Sequence, residues 1–158
     1  MDHLIGKPPI HPVLFYTGKI SGYFTWAILI LALSGIITVE RSTFLWSTYF
    51  SYVLLIIAIG ISVLSIFNLG KSTRLGLPLE NTELKTNGCY RVSRNPMYLG
   101  FNMLTTAAML YTVDIWVILP GIYSIVVYHF IIISEEKFLA RRFGSEYLAY
   151  RRKVRRYL

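Results

Sequence analysis

Two short segments hold the residue types and spacings that can do chemistry. Residues 87 to 100 read Asn-Gly-Cys-Tyr-Arg-Val-Ser-Arg-Asn-Pro-Met-Tyr-Leu-Gly, and a later apolar stretch runs straight into Glu135-Glu136. Asn95-Pro96 predicts a helix start, because Asn is among the best N-caps and Pro at the first helical position gives up an amide that has no partner there. The opening turn of such a helix offers unpaired amides and the positive end of a dipole, a setting for a carboxylate or phosphate. Arg91 and Arg94 stand just before it, where cations are disfavoured unless an anion joins them; lipid phosphate is the other partner open to them. Gly100, one turn in, leaves room for a close approach.

The acidic pair is the complementary half. Two adjacent carboxylates at a helix C-terminal end oppose the dipole, and the positions three and four residues away are Ile131, Ile132, Ile133, Phe138, Leu139 and Ala140. No ion pair within the helix is available to them. Partners must come from the loop before residue 95 (Arg74, Arg91 or Arg94), from the C-terminal tail, or from a ligand that is cationic or rich in hydroxyls. Together the two segments describe a site for a ligand of mixed charge.

The elements that must position them are membrane helices. The chain has 158 residues, 54% of them hydrophobic, with positive mean hydropathy, too apolar for an ordinary soluble domain and too short for two domains. Stretches at 22 to 39, 44 to 67, 97 to 113 and 115 to 133 contain no Lys, Arg, Asp or Glu, and each is long enough to cross a hydrocarbon core of about 30 Å. The expected fold is all-α: one multi-pass domain over residues 1–158, four transmembrane helices and a C-terminal amphipathic interfacial helix. Residues 1 to 21 read as an interfacial segment ahead of the first span. An uncleaved first span fits better than a cleavable signal, since the apolar run continues into Glu40-Arg41 and on into the next span. Short links at 40 to 43 and at Asp114 predict antiparallel hairpins, and Pro120-Gly121 predicts a kink in the fourth span.

In that topology 15 of the 16 Lys and Arg fall on one side and Arg41 alone on the other, which predicts both termini and the middle loop in the cytoplasm, as in a prokaryotic inner membrane. The net charge of +8 is then a matter of topology and anionic lipid, with no nucleic-acid footprint. The long connection from Asn68 to Asn95 stands out among such short links, and long loops usually have a function. Beyond the fourth span Leu139, Phe143, Tyr147, Tyr150, Val154 and Tyr157 recur at intervals of three and four among arginines, the pattern of a basic helix on a membrane surface, with a lid over a ligand site as its possible further role. Cys89 is the single cysteine, and His3, His11 and His129 are scattered, so neither a disulfide nor a metal site is expected. His129 reads as a packed helix-interface residue.

The segment 87 to 100, taken with Glu135-Glu136 and the tail pattern Glu-Glu-x-x-Leu-x-x-x-Phe-Gly-x-x-Tyr-x-x-Tyr, resembles the small integral-membrane methyltransferases: the isoprenylcysteine carboxyl methyltransferases and phospholipid N-methyltransferases. The resemblance covers about residues 54 to 156. It implies S-adenosylmethionine as cofactor, held by Gly88, Tyr90, Arg94, Asn95, Pro96, Tyr98, Gly100, Glu135 and Glu136, with Arg94, Tyr98 and Glu136 as the catalytic candidates. Asn95 replaces the His common in the isoprenylcysteine enzymes and leans toward the phospholipid branch. Cys89 stands where Pro is common, and the Gly-x-Gly of an earlier span is represented by Gly60-Ile61-Ser62.

The implied reaction moves a methyl group from the sulfonium to a lipophilic acceptor in the bilayer: a phospholipid amine, a prenylcysteine-like carboxylate or another small lipophilic molecule. Positioning and exclusion of water supply much of the barrier reduction. An amine acceptor must also lose a proton, with Glu136, Tyr98 or water as candidate bases. The expected partners are membrane lipids and that acceptor, with no nucleic acid and no metal. Two alternatives keep the same motifs in view: a membrane sterol-type reductase relative using NADPH, and a non-catalytic lipid-binding protein.

Overall fold

The computed structural model describes residues 8–38, 45–69 and 84–158. Among them the order is α1 (Pro12–Leu33), α2 (Leu45–Leu69), a one-turn 3-10 helix (Gly88–Arg91), α3 (Pro96–Thr112) and α4 (Ile115–Lys153). Helices α1, α2 and α4 are long and apolar enough to cross a membrane. Helix α3 has 17 residues, about the shortest length that does so. Apolar side chains cover the outside: Ile56 is 72% exposed and Phe67 78%, a surface that lipid accommodates and water does not.

The first helix corrects the expected span of 22 to 39. It starts at Pro12, whose fixed φ suits the first helical position, so residues 12 to 21 are its opening turns and not an interfacial lead-in. Lys19 does not interrupt it, because the ammonium lies over the Phe15 ring, 4.1 Å from the centroid. The helix stops at Leu33, where Gly35 takes a left-handed φ of 73° and the Ile36 N–H returns to the Leu31 carbonyl at 3.0 Å. The link at 40 to 43, and Lys71 and Arg74 of the long connection, lie outside the described residues.

The second hairpin forms as expected at Asp114, whose carboxylate accepts the Trp116 N–H at 2.7 Å and caps α4. At Pro120, where a kink is expected, the backbone dihedrals stay helical. The residue with non-helical dihedrals inside α4 is Gly144. Pro120 is only the sixth residue of the helix, so the one backbone bond it removes is near an end.

Helix α2 packs along α3 and α1 along α4, with α3 touching both α1 and α4. Small residues set these distances. A methyl group at Gly22 would lie 2.6 Å from Ser124 Oγ, and one at Gly100 would lie 3.0 Å from the Ala58 carbonyl oxygen of α2.

At Gly144 (φ 51°, ψ −123°) the long helix breaks, and the chain returns along α4. Ser93 forms an isolated parallel bridge with Arg155, and Tyr157 reaches His129. The tail residues expected to share one interfacial face are therefore divided by the break. Tyr147 and Tyr150 are buried, and the Tyr150 hydroxyl donates to the Tyr90 carbonyl at 2.6 Å.

Candidate functional site

Glu136 is the centre of the polar cluster that the returning tail closes. Arg94 donates to its Oε1 through Nε at 3.1 Å and Nη2 at 2.9 Å, and Asn95 Nδ2 reaches the same oxygen at 3.0 Å. Arg156 donates to Oε2 through Nε at 3.1 Å and Nη2 at 2.9 Å. The remaining Arg94 nitrogen, Nη1, donates to the carbonyls of Arg151 at 3.2 Å and Val154 at 2.7 Å. Burial alone would raise the Glu136 carboxyl; the hydrogen bonds from Arg156 and Arg94, with the Arg94 charge and Asn95, hold it below the usual carboxylate range.

This arrangement corrects the expected role of the Asn95 side chain. Asn95 does precede α3, and Pro96 is its first residue, but no side chain caps the helix. A hydrogen bond to a carboxylate is roughly twice as strong as one between neutral groups, so the amide turns to Glu136 and leaves the α3 N-terminus without a side-chain cap.

Glu135 lies past Ile133, where the apolar part of α4 ends, and behaves differently from its neighbour. Its Oε1 accepts the Tyr98 hydroxyl at 2.7 Å. Part of its surface remains accessible, yet the protein atoms crowded round it push the carboxyl up to about 7, against the Tyr98 hydrogen bond and the Lys19 charge that pull it down. Tyr98 is the third residue of α3, so the uncapped helix end and the partly open carboxylate are neighbours. The Tyr98 ring is fixed by Tyr128, centroids 5.6 Å apart, and by Phe101 at 6.3 Å.

The structure thus brings Arg94, Asn95, Tyr98, Glu135 and Glu136 together. Pro96 is buried at the helix start. Tyr90 is buried under the tail, where burial, then the Cys89 and Glu135 charges, push its phenol up to about 12. The two glycines are committed to packing: the Asn68 side chain fills the space beside Gly88, at φ 59°, and Gly100 meets α2 at Ser62, the last residue of the Gly60-Ile61-Ser62 segment. Arg91 is exposed. Among the described residues no group of three or more His, Cys, Asp or Glu is placed to hold a metal ion.

Two participants were not legible. Lys19 reads in the sequence as a flank of the first span, and Arg156 as one of five cations in the last eight residues. Gly144, in the middle of the tail pattern, is the one signal that the tail reverses.

A model of the phospholipid methyltransferase family matches residues 46–146, a stretch that contains α2 but for its first residue, α3, the whole 87 to 100 segment and both acids. The chain belongs to the phospholipid methyltransferase family. Membership of the phospholipid methyltransferase family implies methyl-transfer activity in a membrane. It also agrees with the resemblance read from the two motifs. No match was found among curated proteins or among solved structures. In this phospholipid methyltransferase family member Lys19 and Arg156 both lie outside the matched stretch.

Proposed function

We propose that the protein transfers a methyl group from S-adenosylmethionine to a lipophilic acceptor drawn from the bilayer. The observation that carries this reading is the 2.7 Å bond from Tyr98 to Glu135, which joins a helix N-terminus lacking a side-chain cap to a carboxylate with acceptor capacity left. That donor set fits the amino-acid part of the cofactor: uncapped amides suit its carboxylate, and Glu135 suits its ammonium or ribose hydroxyls. When bound, the cofactor supplies a methyl group activated by sulfonium.

In this proposal Glu135 and Tyr98 touch the cofactor, with Tyr90 and Gly88 beside them. Arg94, Asn95 and Glu136 act through the cluster: Glu136 fixes both donors, and Arg94 ties the start of α3 to the tail by its bonds to Arg151 and Val154. The tail then covers the Glu136 side of the site. The same reading treats the chain as one membrane domain with both termini cytoplasmic, supported by the one-sided placement of Lys and Arg.

Calorimetric titration of the protein in lipid nanodiscs tests the proposal. Saturable binding of S-adenosylmethionine, lost in Glu135→Ala, is the expected result. Folded protein that binds a nicotinamide cofactor instead, or neither cofactor, overturns it.

A further inference from the structure

Lys19 is the only charged residue of α1, and a charge within a membrane helix is costly enough to mark a functional position. A lysine that merely anchors its helix extends to the lipid headgroups. Lys19 is half-buried, and its ammonium lies over the ring of Phe15, 4.1 Å from the centroid. That ring is 2% exposed and belongs to the core cluster of Tyr98, Ile131 and Ile132, so the charge is turned into the bundle.

The register of α1 on α4 carries it toward Glu135. Gly18 faces Val127, Gly22 faces Ser124, and the Ser134 hydroxyl donates to the Pro9 carbonyl, so the two helices run antiparallel. Side chains lean toward the N-terminus of their own helix. Lys19 therefore leans toward the Pro9 end of α1 and Glu135 toward the apolar part of α4, which closes the distance between their head groups.

Each of the two charges acts on the other, yet they do not pair. The ion pairs at this site, from Arg94 and Arg156, both go to Glu136, and among the described residues Lys19 and Glu135 make none with each other. Tyr98 holds Oε1 of Glu135, and Met97, beside it in the first turn of α3, packs against the same cluster as Phe15. An ammonium, a carboxylate with acceptor capacity left and the uncapped start of α3 thus converge.

We propose that Lys19 belongs to the cofactor site: its ammonium receives the carboxylate of the amino-acid end, while Glu135 receives the ammonium of the same group. The inference rests on the methyl-transfer reading and adds to it a residue outside the stretch matched by the family model, 46–146. Two opposite charges that converge without joining suit a ligand group that carries both. A contact with an aromatic ring is weaker than a charge-assisted hydrogen bond, so Lys19 can leave Phe15 for a carboxylate.

The test compares S-adenosylmethionine with its decarboxylated analogue, which keeps the amine and the sulfonium, by calorimetry on the full chain in nanodiscs. Lys19→Met, which keeps an unbranched stem over Phe15, is expected to weaken S-adenosylmethionine about tenfold or more, the factor of one charged hydrogen bond. Binding of the analogue should not change, which also shows that the variant folds, and Lys19→Arg should restore most of the loss. Should Lys19→Met fail to fold, acylation of the wild type by an amine-reactive reagent, mapped by mass spectrometry, gives the second readout: S-adenosylmethionine should protect Lys19 and the analogue should not. Equal weakening of both ligands would mean that Lys19 acts only through the charge of Glu135, and unchanged binding of both that it is a membrane anchor; either result, or equal protection by the two ligands, overturns the proposal while the methyl-transfer reading stands. Folded wild-type protein that binds neither ligand overturns both.

Discussion

Arg156 donates twice to Oε2 of Glu136 across 20 residues of chain, while Arg94, before α3, holds Oε1 of the same carboxylate. One buried acid therefore joins three segments that are far apart in sequence.

Arg156→Ala should release the tail without unfolding the bundle. The Arg156 side chain is 30% exposed, so the loss is on the order of 1 kcal/mol, about 3 °C in melting temperature for a chain of this size. Limited proteolysis should at the same time begin to cut beyond residue 144. A tail that stays protected would show that other contacts hold it.

The two acids should respond in opposite ways to the same change. Glu136→Gln leaves Arg94 buried beside a neutral amide and should destabilise the protein by about 3 kcal/mol, read as a fall in melting temperature. Glu135→Gln keeps a hydrogen-bonding group at Tyr98 and should leave the melting temperature near the wild-type value while weakening S-adenosylmethionine about tenfold or more. Calorimetry on both variants separates the effects.

Cofactor affinity should rise with pH. Burial lifts the Glu135 carboxyl from 4.5 to about 7, so it is mostly neutral at about pH 6 and mostly ionised at about pH 8. Binding through its carboxylate should tighten across that window, and Glu135→Gln should flatten the profile. The linked effect on stability has the reverse sign: the Glu135 contribution is complete below 4.5 and lost as pH rises through about 7. Glu136, held low, contributes above 4.5 and loses its contribution as pH falls through its depressed value.

Gly100→Ala tests whether that position serves packing. The added methyl would stand 3.0 Å from the Ala58 carbonyl oxygen and 3.1 Å from the Ser62 backbone nitrogen, atoms that move only with α2 itself. A loss of about 1–3 kcal/mol is expected, measured by thermal unfolding in detergent. Unchanged stability with weakened cofactor would return Gly100 to the ligand site.

Much of the frame was readable from residue types. Helices α2 and α3 follow their apolar runs closely, the Asp114 turn has its cap in the sequence, and the 87 to 100 segment does meet the acidic pair. What escaped reading depends on choices made between distant partners. The Asn95 amide can cap a helix or bind a carboxylate, and only the arrival of Glu136 decides it. Arg156 carries the same local signal as Arg151, Arg152, Lys153 and Arg155; the reversal at Gly144 selects it by register. Pro12 is as good a helix start as it is a loop residue, so the placement of Lys19 within α1 waited on the packing of α1 against α4.

The reversal at Gly144 also bears on transplantation. A graft of residues 46–146, the stretch shared with the family model, would carry Arg94, Asn95 and both acids into a new host, but would leave behind Lys19 and Arg156. Such a chimera would present Glu136 with a single guanidinium and Glu135 with no ammonium nearby. The portable unit of this machinery is therefore larger than the segment by which its kinship is detected.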